Sequence, residues 1–343
     1  MMMLKLSMER VGELFSAIAN QQALYLPIES ADQVKFEKWS EGRKVRLDVL
    51  KTVKSGKDLF FPQSENLVAF KMEGKSIEII QQELSQEKFV LMGVRPCDAK
   101  SFEILDKVFL AEPQDSYYAA RRANGTVIAM ACGNPEETCF CKNFGIDAAD
   151  PVGDVAIWIH EGNLYWKSQT EKGEALTQSV KSLFSEAQEA EIDAFKAGIR
   201  EKIEQLPFSH LDLSSFTPDQ LNEKFNSPQW KKLSQSCLGC GSCTFVCPTC
   251  QCYDIRDYDT GHGIQRYRCW DSCMYSDFTM MAHGTNRPTQ LEPFRQRFMH
   301  KLIYFPSNND GMYSCVGCGR CVAKCPIHMN IVKVIKALGG ESK

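Results

Sequence analysis

A cysteine motif that occurs twice constrains this chain more than any other feature of its sequence. The pattern Cys-x2-Cys-x2-Cys-x3-Cys-Pro begins at Cys237 and again at Cys315. Aligned from Ser236 and Ser314, the two copies are identical at 8 of 13 positions, with an offset of 78 residues. Two copies are too few to build a solenoid, so the repeat predicts one paired site.

The spacing of this motif is typical of the ferredoxin loops that hold 4Fe–4S clusters. Three thiolates within seven residues can bind three corners of a cubane, and the glycines between them let the backbone curl around it. In two-cluster ferredoxins the fourth cysteine of each motif binds the other cluster. We therefore predict two 4Fe–4S clusters with crossed ligands, which are Cys237, Cys240, Cys243 with Cys325, and Cys315, Cys318, Cys321 with Cys247.

Structural zinc is the alternative for such a motif, because zinc also binds cysteine thiolates. Zinc sites usually pair two Cys-x2-Cys units that are separated by a longer segment. A triple Cys-x2-Cys-x2-Cys followed by Cys-Pro is a different pattern, and its double occurrence favours iron–sulfur. The chain holds 16 cysteines in 343 residues, and in a cytosolic protein such a number favours metal binding over disulfides.

Four cysteines in the first half of the chain form a further candidate site. Cys97 follows a predicted strand within Gly93-Val-Arg-Pro-Cys-Asp98, and Cys132 ends another. Cys139 and Cys141 lie in the loop beyond. Ligands of open α/β sheets gather at the carboxyl ends of the strands. The sequence therefore predicts a third 4Fe–4S cluster bound by these four thiols, with a set of unrelated buried thiols as the alternative.

Four more cysteines lie between the two motifs, and their spacing assigns them no role. Two of them directly follow the first motif. They are either buried inert thiols or ligands of one more cluster, and they are Cys250, Cys252, Cys269 and Cys273.

The pattern of apolar residues predicts an α+β protein of two domains. In residues 1–225, helical spacing over Met8–Asn20 and Cys97–Leu110 and short strand-like runs predict a mixed α/β domain. Residues 174–205 suit one or two exposed helices. Strands are expected at Ala23–Ile28, Leu67–Phe70, Phe89–Val94, Thr126–Cys132, Val155–His160 and Asn163–Lys167.

Residues 226–343 are predicted to form a mainly α-helical, ferredoxin-type domain that carries both motifs. The boundary is placed in Phe208–Pro228, which holds two prolines and several serine and aspartate residues. The 67 residues between the two motifs exceed what a compact bacterial ferredoxin has. Thr289–Phe305 has helical spacing, and Pro326 is well placed at the start of a last helix.

The net charge of −3 hides an uneven distribution. Residues 1–227 carry 26 basic and 35 acidic side chains, whereas residues 228–343 carry 14 and 8. The second half has no run of five or more basic residues, and bound thiolates would need positive neighbours, so the excess is a weak sign of nucleic-acid binding. Tyrosine, tryptophan and arginine nevertheless interleave over residues 253–270, which keeps a metal-stabilised nucleic-acid module as an alternative.

Apolar runs in this sequence are far shorter than a bilayer requires. The N-terminal segment Met1–Arg10 has no long apolar stretch and no small-residue cleavage site, so it is not a secretory signal. We therefore expect a cytoplasmic protein without a membrane span.

Fingerprints of nucleotide, flavin and hydrolase sites are missing from the sequence. Gly-x-Gly-x-x-Gly, His-Glu-x-x-His and Gly-x-Ser-x-Gly do not occur, and Gly74-Lys-Ser76 lacks the earlier glycine of a P-loop. Iron–sulfur clusters move one electron at a time, so two-electron chemistry would need a partner. The sequence predicts an electron carrier without catalytic residues of its own. A stand-alone enzyme with an open iron is the alternative, although both motifs are complete.

Several elements of the chain resemble one family, which contains the iron–sulfur beta subunits of cytoplasmic NiFe sulfhydrogenases and the corresponding iron–sulfur subunits of anaerobic sulfite reductases. The specific elements are Gly93-Val-Arg-Pro-Cys-Asp98 and Trp270-Asp-Ser-Cys273. Cys139-Phe-Cys141, the stretch Cys247-Pro-Thr-Cys-x-Cys252 and the Cys-Val-Gly-Cys-Gly-Arg-Cys of the second motif add to them. The resemblance covers nearly the whole chain, and the elements that carry it lie between about residue 90 and the end of the sequence.

The resemblance implies a cytoplasmic electron-transfer subunit of an anaerobic oxidoreductase complex. It implies a neighbouring reductase subunit that binds FAD and exchanges electrons with NAD(P)H. It also implies a catalytic redox subunit, which is a hydrogenase, a sirohaem sulfite reductase or a heterodisulfide-reductase-like protein. Cys269 departs from the family pattern and takes no ligand role from it. No nucleic-acid partner is expected.

Overall fold

The structure is a computed structural model, and it describes residues 2–49 and 51–339. Helices and sheets are both present, which confirms the α+β class. Within these residues the strands are β1 Met3–Ser7, β2 Ala23–Ser30, β3 Gln33–Lys38, β4 Ser64–Glu73, β5 Ser76–Gln81, β6 Phe89–Val94, β7 Gly125–Met130, β8 Val155–His160, β9 Asn163–Ser168, β10 Ser185–Ala187, β11 Tyr253–Asp259, β12 Ile264–Trp270, β13 Met280–Met281 and β14 Gly284–Thr285.

The helices of the same ranges are short, and most have fewer than twelve residues. They are α1 Val11–Ala19, α2 Lys57–Phe60, α3 Pro96–Phe109, α4 Ser116–Asn124, α5 Glu171–Val180, α6 Asp193–Glu204, α7 Leu221–Phe225, α8 Gln229–Ser234, α9 Ser242–Phe245, α10 Leu291–Met299, α11 Phe305–Asn308, α12 Arg320–Ala323 and α13 Ile331–Gly339. A π-helical turn at His300–Tyr304 joins α10 to α11, and 3₁₀ turns cover Met8–Arg10, Cys141–Phe144, Lys181–Leu183, Glu189–Ile192, Pro218–Gln220 and Asp277–Thr279.

An eight-stranded sheet forms the centre of the first half of the chain, in the order β10-β1-β9-β8-β7-β6-β2-β3. Neighbours among β2, β6, β7 and β8 are parallel, and the other pairs are antiparallel. β6 and β7 are buried along their whole length. They are buried because α1 and α5 pack in one apolar core, while α3 and α4 pack in another.

The carboxyl ends of the parallel strands position the cysteines of the first half. Pro96 begins α3 directly after β6, which places Cys97 in the first turn of that helix. Cys132 follows β7 by two residues, and its amide donates to the Ala148 carbonyl at 2.8 Å. These residues therefore lie at one edge of the sheet, as expected for a site in an open α/β fold.

A four-stranded sheet in the order β11-β12-β4-β5 joins the two halves of the chain. Its central pair is β12 with β4, in which Ile264 lies opposite Phe70. At the base of the sheet, the buried Arg268 makes ion pairs with Glu65 and Asp115 of the first half. The β11–β12 hairpin was not predicted, because β11 is exposed almost throughout and so lacks a buried apolar face to detect.

The helices beyond residue 225 pack around a third apolar core, to which α8 contributes Trp230 and α10 contributes Phe298. The last helix, α13, begins at Ile331 and not near Pro326. It begins there because His328 adopts a φ of 55° and because the Asn330 side chain accepts the Val332 amide at 3.1 Å. Among the helices of residues 2–49 and 51–339, none is both long and apolar enough to cross a membrane.

Candidate metal centres

Each cysteine motif folds into a loop followed by one helical turn. Gly241 adopts a φ of 71° immediately before α9, which carries Cys243. Gly319 adopts a φ of 75° immediately before α12, which carries Cys321. Because a positive φ favours glycine, the glycine of each motif lets the chain reverse between its second and third cysteines.

The first three cysteines of the first motif meet the fourth cysteine of the second motif. They line one small cavity together with Phe294 and Arg297. The cavity lies near the surface, since Cys240 is exposed and Leu238 is 66% exposed. We call this arrangement the first site, and its cysteines are Cys237, Cys240, Cys243 and Cys325.

The first three cysteines of the second motif meet the fourth cysteine of the first. Burial raises the pKa of the Cys318 thiol to about 12, and the nearby Cys247 acts in the same direction. Cys247 acts on Cys315 and Cys321 in the same way. We call this arrangement the second site, and its cysteines are Cys247, Cys315, Cys318 and Cys321. The structure thus brings together both crossed sets, while their role as cluster ligands stays a prediction.

A buried arginine lies between the two sites. Arg297, on α10, is 3% exposed, and its electrostatic neighbours include Cys243 of the first site and Cys321 of the second. Burial opposes its charge, but these thiols hold the pKa of Arg297 above its ordinary value. Its Nε is buried without a hydrogen-bond acceptor. A buried donor that faces thiols suits the sulfur atoms of an anionic cluster, so these residues fit the predicted iron–sulfur groups.

A buried lysine serves the second site. Lys301 lies in the π-helical turn, and its Nζ donates to Thr249 Oγ1 at 2.8 Å and to the Ser314 carbonyl at 3.0 Å. Burial disfavours its charge, but the thiols of Cys247 and Cys250 outweigh that cost and raise the pKa of Lys301. Lys301 therefore supplies positive charge where the second site would concentrate thiolates.

A second lysine reaches the same segment from the first half of the chain. Lys57 Nζ donates to the Cys247 carbonyl at 3.2 Å and to the Cys250 carbonyl at 2.9 Å. It also lies 3.6 Å from the centre of the Trp270 ring, which is a cation–π contact. Burial lowers the pKa of Lys57 to about 8. This lysine fixes the backbone that carries the fourth cysteine of the first motif.

The four cysteines of the first half lie in one region beyond the carboxyl ends of β6 and β7. Cys132 lies near Cys139 and Cys141, and Cys97 lies near Cys318 of the second site as well as near Cys141. Burial raises the pKa of Cys132 and of Cys141 to about 12. We call this set the N-terminal site, and a third cluster there stays a prediction.

The N-terminal site adjoins the second site through a buried ion pair that sequence reasoning missed. Arg320 Nη2 donates to Asp98 Oδ2 at 2.7 Å, and both side chains are almost fully buried. Cys97 and Cys318 are both electrostatic neighbours of Arg320. One sequence signal could have found it, because Arg320 stands where the first motif has Ser242.

A backbone contact joins the same two sites. The Phe140 amide donates to the Gly317 carbonyl at 2.8 Å. Phe140 lies between Cys139 and Cys141, so the loop that carries these cysteines hydrogen-bonds directly to the second motif.

Throughout the described residues, no three His, Cys, Asp or Glu side chains converge closely enough to bind a single metal ion.

The four cysteines between the motifs differ in their surroundings. The neighbour that most affects the pKa of Cys250 is Cys247, and the neighbour that most affects the pKa of Cys252 is Cys273. Cys269 lies on β12, opposite Asp254 in the strand ladder. Its strongest electrostatic neighbours are Arg256, Asp254 and Asp271, and not thiols.

The aromatic and basic segment over residues 253–270 forms the β11–β12 hairpin. Arg256 pairs with Asp254 at 2.8 Å, and Arg266 pairs with Asp257 at 2.7 Å. Arg268 is buried against Glu65 and Asp115, as described above. The arginines of the hairpin are therefore already neutralised by carboxylates.

Two comparisons with known proteins place the chain. A family model for a 4Fe-4S dicluster domain matches residues 236–329, which contain both motifs. The beta subunit of sulfhydrogenase 2 from Pyrococcus furiosus is 33% identical over 335 residues, which are 96% of this chain and 96% of that protein. This chain therefore belongs to the family of iron–sulfur sulfhydrogenase beta subunits, as its motifs indicated, and is a 4Fe–4S electron-transfer subunit of an oxidoreductase complex.

Proposed function

We propose that this chain relays electrons between a reductase subunit that binds FAD and NAD(P)H and a catalytic subunit. The catalytic subunit is a hydrogenase, a sulfite reductase or a heterodisulfide-reductase-like protein. Two 4Fe–4S clusters at the first and second sites, and a third at the N-terminal site, would supply one-electron transfer. The relay works in the cytoplasm.

The observation that carries this proposal is the order of the three cysteine sets. The Asp98–Arg320 pair lies between the N-terminal site and the second site. Arg297 lies between the second site and the first. The sets therefore follow one another through the protein, which is the arrangement that a relay needs.

The first site is the end of this series that faces a partner protein. Cys240 is exposed there, and the exposed Leu238 precedes Gly239 on the same loop. The second site is enclosed, since Cys318 is buried and packs with Cys132 and Cys141 in one apolar cluster. An enclosed middle site and an exposed outer site support electron exchange through the surface around Cys240.

The two other functional classes find less support. A stand-alone enzyme needs an open iron, whereas each motif supplies a complete set of four cysteines. A nucleic-acid module needs free positive charge for phosphates, whereas Arg256, Arg266 and Arg268 are paired with carboxylates. We expect no salt-dependent DNA or RNA binding in a filter or anisotropy assay.

Metal content tests the cluster assignment. Protein prepared without oxygen is expected to contain about eight irons from the two motif sites, and about twelve if the N-terminal site is filled. Cys132→Ser is expected to lower the higher value to about eight, and Cys269→Ser serves as the matched control that leaves it unchanged. A colourless protein with stoichiometric zinc would contradict the proposal.

Assembly with the partner subunits tests the relay. Cys240→Ser and Cys318→Ser are expected to abolish electron flow from NAD(P)H through the assembled complex, because each changes one predicted cluster ligand. Activity of the catalytic subunit with an artificial dye that bypasses this chain should persist. The isolated chain should not oxidise NAD(P)H, and oxidation by it, with flavin bound, would reveal a cofactor site in residues 1–227 that the proposal lacks.

A further inference from the structure

We infer that Cys252 and Cys273 form a reversible disulfide, a redox site separate from the three predicted cluster sites. Neither cysteine belongs to a predicted ligand set. Backbone pairing at the base of the β11–β12 hairpin places them beside each other, and both are free thiols. The chemical partners of such a site are small dithiols and disulfides.

The β11–β12 hairpin brings these two cysteines together. Its ladder ends with Tyr253 opposite Trp270, and the Asp271 amide then donates to the Cys252 carbonyl at 3.0 Å. Cys252 is therefore held at the base of the hairpin. Cys273 follows Asp271 by two residues and lies in the turn beyond the end of β12.

A buried hydrogen-bond network fixes the turn that carries Cys273. The fully buried Ser272 shares a hydrogen bond with the Thr244 hydroxyl at 2.8 Å and accepts another from the Met274 amide at 3.1 Å. Thr244 lies on α9, in the first motif. The folded core therefore fixes the position of Cys273 relative to Cys252.

The surroundings of Cys252 favour thiol chemistry. The neighbouring thiol of Cys273 lowers the pKa of Cys252 to about 7, and Cys252 in turn raises the pKa of Cys273. A thiolate is the form that attacks a disulfide. Both residues are partly exposed.

Disulfide formation takes two exchange steps. The Cys252 thiolate first attacks a small disulfide, releases one thiol from it and keeps the other in a mixed disulfide. Cys273 then loses its proton, attacks the Cys252 sulfur and displaces the second thiol. One reagent disulfide breaks and one protein disulfide forms, so two electrons pass to the reagent as two thiols. A dithiol reverses both steps.

The bond would fix the joint between the two halves of the chain. It closes the hairpin loop from Cys252 to Cys273, and β12 of that loop pairs with β4 of the first half. Closing this loop restricts the opening of the ladder. In the oxidised chain, the Asp271 amide is therefore expected to exchange with solvent hydrogen at least about tenfold more slowly than in the reduced chain.

Thiol trapping on the complete, iron-loaded protein tests the inference. The protein is equilibrated without oxygen in mixtures of oxidised and reduced dithiothreitol, quenched in acid, denatured, alkylated and digested. In oxidising mixtures, the peptides that contain Cys252 and Cys273 are expected to be joined, and in reducing mixtures both are alkylated. Cys269, on the same hairpin without a thiol partner among its strongest neighbours, is the internal control and is alkylated throughout.

Two results would overturn the inference. Alkylation of both cysteines in every mixture would show that no bond forms. A loss of about four irons in Cys252→Ser or Cys273→Ser, with Cys269→Ser unchanged, would make the pair cluster ligands instead. The trapping needs no variant, so it decides the question even where a variant fails to fold. It also reports thiols alone, so a failure of the electron relay is distinguishable from it.

Discussion

The two copies of the cysteine motif share a sequence but not an environment. In the first copy, a methyl group placed at Gly241 would lie 2.5 Å from the Tyr275 hydroxyl, which is the end of a flexible side chain. In the second copy, a methyl group placed at Gly319 would lie 2.4 Å from the backbone oxygen of Thr138. The first copy therefore packs against side chains near the surface, and the second packs against the backbone of the first half of the chain.

The buried charges follow the same division. The second copy has Arg320, which pairs with Asp98, where the first copy has Ser242. Lys301 also lies beside thiols of the second site, whereas Arg297 lies between the two sites. The motif therefore determines how the chain loops, while the surroundings determine whether the site is enclosed or lies near the surface.

The largest effect is expected from exchanging a ligand that crosses between the copies. Cys247→Ser should remove about four irons and change the same paramagnetic signal as Cys315→Ser, because Cys247 lies with the second motif. Cys325→Ser should instead match Cys237→Ser, since both line the first site. Electron paramagnetic resonance of the reduced protein, together with iron analysis, measures both.

Cys269→Ser is the control for these variants, because that cysteine is outside every predicted ligand set. If Cys247→Ser matched Cys237→Ser instead, each motif would hold its own cluster. The enclosed and the exposed sites would then have uncrossed ligand sets.

A smaller but still large effect is expected from the buried ion pair. Arg320→Ala should lower the free energy of unfolding by about 3–5 kcal/mol, because it leaves the Asp98 carboxylate buried without its partner. The equivalent change in the first copy, Ser242→Ala, should cost less than about 1 kcal/mol. Urea unfolding under anaerobic conditions, followed by circular dichroism, measures the difference.

Arg320→Lys separates charge from geometry in this pair. A lysine retains the positive charge but cannot donate to both Asp98 oxygens as a guanidinium does. It should therefore recover part of the lost stability. An Arg320→Ala protein as stable as Ser242→Ala would show that the second copy is not anchored through this pair.

The glycines that precede the helical turns provide the next test. Gly319→Ala should destabilise the protein by about 1–3 kcal/mol more than Gly241→Ala, because a methyl group would collide with the Thr138 backbone. The strain of a positive φ is common to both variants, since the two glycines have φ values of 75° and 71°. The difference between the two unfolding free energies therefore isolates packing. Equal losses would mean that the second copy can move away from the first half.

Much of the site could be predicted from the sequence, because ferredoxin loops are local. The spacing of the cysteines within each motif fixes the loop, and the glycine fixes the reversal before each turn. The ends of the strands that precede Cys97 and Cys132 could also be predicted, because β6 and β7 are continuous apolar runs.

The surroundings of the sites could not be predicted, because they depend on residues far apart in the chain. Asp98 and Arg320 are separated by 222 positions, and Lys57 and Cys247 by 190. The sheet that joins β4 to β12 was missed for the same reason. A sequence pattern reports which face of an element is apolar, but it does not report which distant element covers that face.

The smallest effect expected concerns acid sensitivity beside the second copy. Burial and the neighbouring charge of Lys301 lower the pKa of His300 to about 4, against about 6.5 in an unfolded chain. Between these values the unfolded chain binds a proton that the folded chain does not, so stability falls as the pH drops from 6.5 towards 4. At pH 5.5 this loss of stability should be about 1 kcal/mol, and it should become negligible about one pH unit above 6.5. His300→Gln should remove this part of the decrease between pH 7.5 and 5.5 in urea unfolding. His283→Gln, which changes an exposed side chain, is the matched control and should retain this decrease.

An unchanged pH profile in His300→Gln would show that water reaches His300 in the folded protein. The second copy would then be less enclosed than its contacts indicate, and the contrast with the exposed first copy would be weaker.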